Sequence, residues 1–287
     1  MSTILICGHR AYAVRGLKSV FERQGHTVLE FSRGEVKREG NTITGPVIEL
    51  GANPMFKEKI DVVINFILLQ NSTVKENEEY INALLRFCAV HSVKRLVQIS
   101  SISSYPNDAS QIKENTPIEN RVELKGGYGL IKATVDNLLE NSRQTVPFEI
   151  VFVRPGYIVA ADNPHPFKGI AKFFGSKLAI LIGDKKATLP CIHRDVLHQC
   201  LAEIAIQENP LPVYLLVEGE NETKYSYFRS QSQALVIPLP KWIFFLGADI
   251  AKALHLLKER HVCMIKGAFK INGFDNTLTK SRLNALK

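Results

Sequence analysis

The chain has 287 residues, 45% of them hydrophobic and 22% charged, enough apolar material to bury a core in one large domain or two small ones. Lys and Arg number 36 against 28 Asp and Glu, a formal net charge of +8, but the cations are scattered; the balance reads as a solvated basic surface ahead of a nucleic-acid stripe, and no nucleic-acid partner is expected. Cys7, Cys88, Cys191, Cys200 and Cys263 are odd in number and lack a CxxC pair, which argues against a disulfide framework and a zinc site, and with no apolar stretch approaching about 18 residues and no leader-like start a cytoplasmic protein without a membrane span is expected.

Ile4 to Cys7 is a short apolar run of the kind that forms a buried strand, and Leu17, Val20 and Phe21 recur at helical spacing after it. Between them stands GHRAYAVRG. A turn from a first strand to a first helix is where a dinucleotide pyrophosphate meets unpaired backbone N–H groups, and glycines let it approach. Only Gly8 of three expected glycines is present; Ala11 and Val14 occupy the next two places and a glycine returns at Gly16. On these residues alone, a phosphate-binding turn and a plain structural connection stand level.

Further along, the strand-like runs TVLEFS, DVVINFI, RLVQIS and FEIVFVRPG alternate with the helix-like KENEEYINALLRFCAVHS and GLIKATVDNLLENS. Near-continuous apolar strands separated by helices predict an α/β fold, a parallel sheet covered on both faces. Ligands of such sheets bind beyond the carboxyl ends of the strands. This chain places Ser32 and Arg33, Asn65, Ser100 and Ser101, and Arg154 and Pro155 there.

Ser101 with YGLIK, Tyr128 to Lys132, forms the strongest constellation. A Tyr and a Lys four apart share one helical face, so the ammonium can lower the phenol's pKa and make it a base, while a Ser101 hydroxyl steadies the same substrate oxygen as a hydride moves at the adjacent carbon. A chance Tyr-xxx-Lys pair is common, and it is the position of this one that gives it weight.

Together the segments resemble the extended short-chain dehydrogenase/reductase family of nucleotide-sugar epimerases, dehydratases and reductases. GHRAYAV lies at the family's glycine turn, DVVINFI at its fourth strand, RLVQISSISSYP at its serine segment, YGLIK at its catalytic pair, VRPGYIV at its Arg-Pro-Gly segment, PCIHRDVLHQCL at a late helix start and FDNTLTKSRL at the last helix, in family order over most of the chain. The resemblance implies a Rossmann-type doubly wound parallel sheet over residues 1–160 and a smaller substrate-binding region over 161–287, interleaved with the last core elements. It implies catalytic roles for Ser101, Tyr128 and Lys132. It also implies a cofactor held by Gly8, His9, Arg10, Ala11 and Tyr12 of the turn, by Ser32 and Arg33, by Asn65, Phe66 and Ile67, and by Ile99, Tyr128, Lys132 and Pro155. A nucleotide-sugar substrate follows, and a homodimer through the two helices that relatives use stays open.

NADP is expected ahead of NAD. Ser32 and Arg33 stand where an NAD enzyme offers Asp or Glu to the ribose hydroxyls, and a guanidinium suits a 2′-phosphate. Alternation points Glu30 elsewhere. GHR is also similar to the turn of fucose-type sugar-nucleotide synthases that use NADPH, which sets Arg10 toward a phosphate.

The departures from the family narrow the chemistry. Val14 at the third glycine position is expected to push the first helix slightly off the strand. Tyr157 stands where many relatives carry Asn. Ile102 and Ser103 replace the acid and base of dehydratases, and Ser103 and Ile170 replace the Cys and His of fucose-type epimerisation. What remains is 4-keto reduction or 4-epimerisation, with a catalytically idle NADP-binding regulator or scaffold as the alternative. His165, His193 and His198 read as loop or helix-surface residues without a metal, and Asp195 as a helix-cap acid. LPKWIFFLGADIAKALHLL is apolar enough to suggest a membrane-surface helix, but Lys241, Asp249, Lys252 and His255 interrupt it and Pro240 suits a first helical turn, so it reads ahead of that as a helix packed in the core or over the substrate.

Overall fold

Alternating side chains along each apolar strand decide the architecture. The computed structural model describes residues 1–163, 170–175, 177–218, 223–231, 235–238, 240–269 and 273–286. In chain order these form β1 (Thr3–Cys7), α1 (Leu17–Arg23), β2 (Thr27–Arg33), β3 (Lys37–Glu39), β4 (Thr42–Gly45), β5 (Val62–Asn65), α2 (Val74–Val90), β6 (Arg95–Ile99), β7 (Gln111–Lys113), α3 (Gly127–Ser142) and β8 (Glu149–Pro155). There follow β9 (Tyr157–Val159), β10 (Ala171–Phe174), β11 (Leu178–Leu181), β12 (Cys191–His193), α4 (Arg194–Ile206), β13 (Val213–Leu216), α5 (Lys224–Gln231), β14 (Leu235–Pro238), α6 (Lys241–Ala253), α7 (Glu259–Ala268), β15 (Gly273–Asp275) and α8 (Thr277–Arg282).

The main sheet has eight strands in the order β13-β8-β6-β5-β1-β2-β4-β3, parallel except for the β3–β4 hairpin. Strand order reverses between β1 and β5, the switch point of a Rossmann-type α/β fold. Both faces are covered. Ile4, Ile6, Val28, Ile64 and Val97 turn toward α1 and α4, whereas Leu5, Cys7, Leu29, Val63 and Leu96 turn toward α2 and α3. That double burial is why the strands read as unbroken apolar runs rather than alternating ones. β13 and α4, from the second half of the chain, complete this sheet, while β10, β11 and β14 form a separate three-stranded one. None of the five cysteines is in a disulfide.

Helix α2 starts with a capping box: Glu76 N donates to Thr73 Oγ1 (3.2 Å) and Thr73 N donates to Glu76 Oε2 (2.7 Å). Helix α6 departs from the sequence reading. Phe244 and Phe245 pack on Phe269, at ring-centroid distances of 5.0 and 5.7 Å, but the opposite stripe of Trp242, Ile243, Leu246 and Ile250 is exposed. The helix is packed on one side only.

Past β8 the chain runs against the strand that will follow Pro190. Tyr157 N donates to Pro190 O (2.8 Å), and a Cβ added at Gly156 would sit 2.4 Å from that same oxygen. Backbone cannot give way there as a flexible side chain can. Gly156→Ala is therefore expected to lower stability by about 1–3 kcal/mol, read as a fall in the urea midpoint with an unchanged slope.

Candidate active site

The carboxyl ends of β1, β5, β6 and β8 open onto a cleft of about 540 Å³. Its described walls include Ala11, Tyr12, Phe66, Ile99, Ser101, Ser103, Tyr128, Lys132, Pro155 and Tyr157, so the serine and the Tyr–Lys pair do meet at the switch point. The rest of the expected cofactor residues stand outside these walls. Gly8 N donates to Phe31 O (2.7 Å), which ties the turn carrying His9 and Arg10 to the end of β2, where Ser32 and Arg33 stand. Arg10 and Arg33 are exposed and enter no ion pair among the described residues.

Gly8 has φ +88°, and a Cβ there would lie 3.1 Å from Ile67 Cγ1 and 3.2 Å from Ile67 N. Only glycine suits that position. Ile67 therefore packs beneath the turn. Asn65 is fully buried and spent within the protein: its Nδ2 donates to Gln98 Oε1 (2.8 Å), and its Oδ1 accepts from Ile67 N (3.1 Å) and Tyr80 Oη (2.6 Å). Its contribution is to shape the loop that carries Phe66.

The turn itself differs from expectation. Residues Tyr12–Val14 form a short 3₁₀ turn, Val14 enters the core, and α1 begins only after Gly16, whose φ is +96°. Helix α1 covers Leu17, Val20 and Phe21 as their spacing predicts, and the 3₁₀ turn with Gly16 lies between it and Gly8. Helix α4 holds the turn in place. His198, buried rather than on the helix surface, sets Nε2 2.7 Å from Ala13 O, and Arg194 lies over the Tyr12 ring at 5.1 Å while pairing with Asp162 (3.0 Å). His193 instead faces Glu218 at 3.2 Å, and Asp195 sits in the first turn of α4. Among the described residues no group of three or more His, Cys, Asp or Glu could hold a metal; His165 and the rest of 164–169 lie outside them. Glu30 is engaged by Lys18 Nζ at 3.4 Å.

The Tyr128–Lys132 pair rests on a buried ionic network. Lys132 Nζ donates to Ile99 O (2.6 Å). One turn further along α3, Asp136 is wholly buried; its Oδ2 accepts from Ser100 Oγ (2.6 Å) and from Arg154 Nε (3.2 Å). Burial raises the Asp136 pKa, with Arg154 foremost among the groups opposing the rise. Burial also brings the Lys132 ammonium down to about 8, against the pull of Asp136. Sequence reading missed Asp136, although its place four residues after Lys132 on one helical face was available as a signal.

Tyr128 behaves differently from the expectation of a lysine-lowered phenol. It is 46% exposed at the cleft, and the surrounding wall still raises its pKa above the ordinary 10.0, with the Ser101 hydroxyl lowering it in part. Lys132 Nζ is 5.9 Å from the ring centroid and is committed to Ile99 O. Ser101 Oγ accepts from Ser103 N (3.1 Å), which leaves its own proton for the phenol or a bound oxygen. Ser103 Oγ is buried in the cleft wall with no partner.

A dinucleotide fits this arrangement. The glycine-only approach at Gly8 gives backbone access at the switch point, and His9 Nδ1 and Ser32 Oγ, each next in sequence to a residue of the Gly8 N–Phe31 O contact, are buried polar atoms lacking partners.

The sequence model of the NAD dependent epimerase/dehydratase family matches residues 4–187. No curated protein matches the chain. Among solved structures it is similar to a short-chain dehydrogenase/reductase superfamily protein from Agrobacterium tumefaciens with bound NAD, at 14% identity over 98% of this chain and 91% of that one, with a TM-score of 0.69. It is also similar to the Bordetella bronchiseptica enzyme WbmG in complex with NAD and UDP (15%, 98% and 87%, TM-score 0.66) and to dTDP-glucose 4,6-dehydratase from Bacillus anthracis in complex with NAD (12%, 98% and 90%, TM-score 0.66). At such identities the likeness is one of fold.

Because the folded Lys132 sits at about 8 against an ordinary 10.5, charged Lys132 weighs against folding below pH 8. That penalty is relieved as pH rises from about 8 toward 10.5. Asp136→Asn removes the group that holds the ammonium up, so Lys132 should titrate below its wild-type value, and Asp136→Glu should restore it. Heteronuclear NMR of the lysine Nζ resonance measures this; an unmoved titration would separate Asp136 from Lys132.

Proposed function

The chain belongs to the NAD dependent epimerase/dehydratase family, and on that premise we propose that it is an NAD(P)-dependent oxidoreductase acting on a nucleotide-linked sugar, by 4-keto reduction or 4-epimerisation, with Tyr128 as acid and base. The observation that carries this reading is the chemistry of the cleft wall. Among its described residues there is no carboxylate, histidine or cysteine. Dehydration, or inversion at a carbon beside the keto group, needs a second group that takes a proton from carbon. A single phenol backed by a buried ammonium suffices where one proton moves on oxygen and a hydride moves on carbon.

Gly8, His9, Arg10, Ala11 and Tyr12 would hold the pyrophosphate and neighbouring ribose, Ser32 and Arg33 the adenosine end, and Phe66, Ile99 and Pro155 the nicotinamide end. When bound, the nicotinamide supplies or accepts the hydride. Ser101 and Tyr128 would grip the sugar oxygen. During reduction the phenol gives its proton to that oxygen; during oxidation the phenolate takes it back. Ser101 would hold the phenolate by its hydroxyl, and Lys132, anchored by Ile99 O with its Nζ 5.9 Å from the ring centroid, would keep a positive charge beneath the cleft. Arg33, exposed at the end of β2 with no acid beside it in sequence, supports NADP over NAD.

Tyr128→Phe keeps the ring and removes the proton carrier. Turnover of an accepted keto-sugar nucleotide should fall about a hundredfold or more, while fluorescence titration shows NADPH binding nearly unchanged. Near wild-type turnover would overturn the assignment, and failure of the wild-type protein to bind either NADPH or NADH would favour an idle scaffold.

Arg33→Ala should weaken NADPH binding by about 1.5–3 kcal/mol, roughly tenfold to a hundredfold, and leave NADH binding almost unaffected. Arg10 can share the load, so the double replacement should abolish the preference. Equal losses for both cofactors would make Arg33 a solvated surface residue.

A further inference from the structure

Away from the cleft, the least water-compatible surface lies on α6 and the turn after it. Trp242 is 64% exposed, Leu246 56%, Ile250 51%, Leu254 62% and Leu256 74%, and Ile243 joins the same stripe. Such a run of large apolar side chains facing solvent marks an interaction surface. The inward side is already satisfied by α7 through Phe244, Phe245 and Phe269, so burial within the protein does not await the outer stripe. The strand leading into the helix is exposed as well, at Leu235 and Ile237.

Charge identifies what covers it. The two carboxylates of this hairpin are neutralised: Asp249 by Lys266 at 2.8 Å, and Glu259 by Lys252. Lys241, Lys258 and Arg260 are exposed and enter no ion pair among the described residues. The stripe is thus rimmed by uncompensated cations on a chain of net charge +8. A second copy packed there about a two-fold axis would set this cationic rim against itself. At 13 residues α6 is about 20 Å long, too short for a bilayer core of about 30 Å but suited to lying along its surface.

We propose that α6 docks this protein onto an anionic lipid surface, its outer stripe immersed at the headgroup boundary and Lys241, Lys258 and Arg260 meeting lipid phosphates. An amphipathic helix binds in this manner through its apolar face and is strengthened by cations near the surface. The proposal is independent of the reaction in the cleft.

Trp242 is the chain's only tryptophan, so its fluorescence reports on this helix alone. Full-length protein is mixed with vesicles of phosphatidylcholine, with or without phosphatidylglycerol, at low and high salt. Expected are co-sedimentation and a blue shift with the anionic vesicles, quenching of Trp242 by brominated acyl chains, and loss of binding on adding salt. The exposed pair Leu246→Ser with Ile250→Ser should lower partitioning at least about tenfold without changing NADPH binding. Absence of vesicle binding overturns the proposal, as does equal binding to neutral vesicles or binding without Trp242 quenching. A concentration-dependent blue shift in vesicle-free solution, accompanied by dimerisation in sedimentation velocity, assigns the face to a second copy and overturns it too.

Discussion

Asp136 is a carboxylate shut off from water, and the cleft end of the sheet is arranged around it. Three elements answer it: Ser100 after β6, Arg154 on β8 and Lys132 one turn earlier on α3. Removing one partner of a buried pair costs about 3–5 kcal/mol because the other charge stays buried and unpaired. The network therefore sets the rotation of α3 against the sheet. Once Asp136 points inward at Arg154, helical periodicity brings Lys132 beneath the cleft and Tyr128 to its edge. Arg154 is braced in turn by the rings of Tyr105 and Phe152, at 4.7 and 5.3 Å.

The other end of the cleft depends on a backbone constraint instead of a charge. Gly8 brings the turn against Phe66 and Ile67 as no other residue could, and from there the chain is free of the usual glycine pattern. Val14 enters the core between the sheet and α4, and α1 starts after it. The hold on the turn passes to α4, whose His198 and Arg194 reach back to Ala13 and Tyr12. Burial lowers the His198 pKa, which favours a neutral ring at this contact. A turn poor in glycine is thus made rigid by a helix nearly 200 residues away in sequence, which a local pattern could not reveal.

What was legible in the sequence was whatever local chemistry enforces. Doubly buried strands must be apolar throughout, so β1, β2, β5, β6 and β8 could be read as a parallel sheet, and the Tyr128–Lys132 spacing already put both on one helical face. The β3–β4 edge of the sheet escaped notice because KRE and TITG are short and half-polar, as edge strands often are. Long-range partners were equally hidden. His198 looks like any helical histidine until Ala13 O is found beside it, and nothing in the apolar pattern of α6 said that only its Phe244–Phe245 side would find α7. The lysine's place on the helical face was legible, but its distance from the phenol was not, since that depends on where Nζ is tied.

The division of labour within the cleft also says where sugar identity would be read on the proposed function. Tyr128, Lys132 and Ser101 act on one oxygen and one carbon and are indifferent to the rest of the ring. Discrimination falls to polar groups that are left unpaired when the wrong hydroxyl arrives. Ser103 Oγ is such a group, buried and without a partner. The same cleft wall includes Gly156–Tyr157, locked where β9 pairs with β12 through Tyr157↔Cys191 and through Tyr157 N to Pro190 O. With backbone crowding Gly156 to within 2.4 Å of any added Cβ, that wall cannot drift to accommodate different sugars. Selectivity would then come from the unpaired Ser103 hydroxyl and from a backbone at Gly156–Tyr157 that cannot move to suit another sugar.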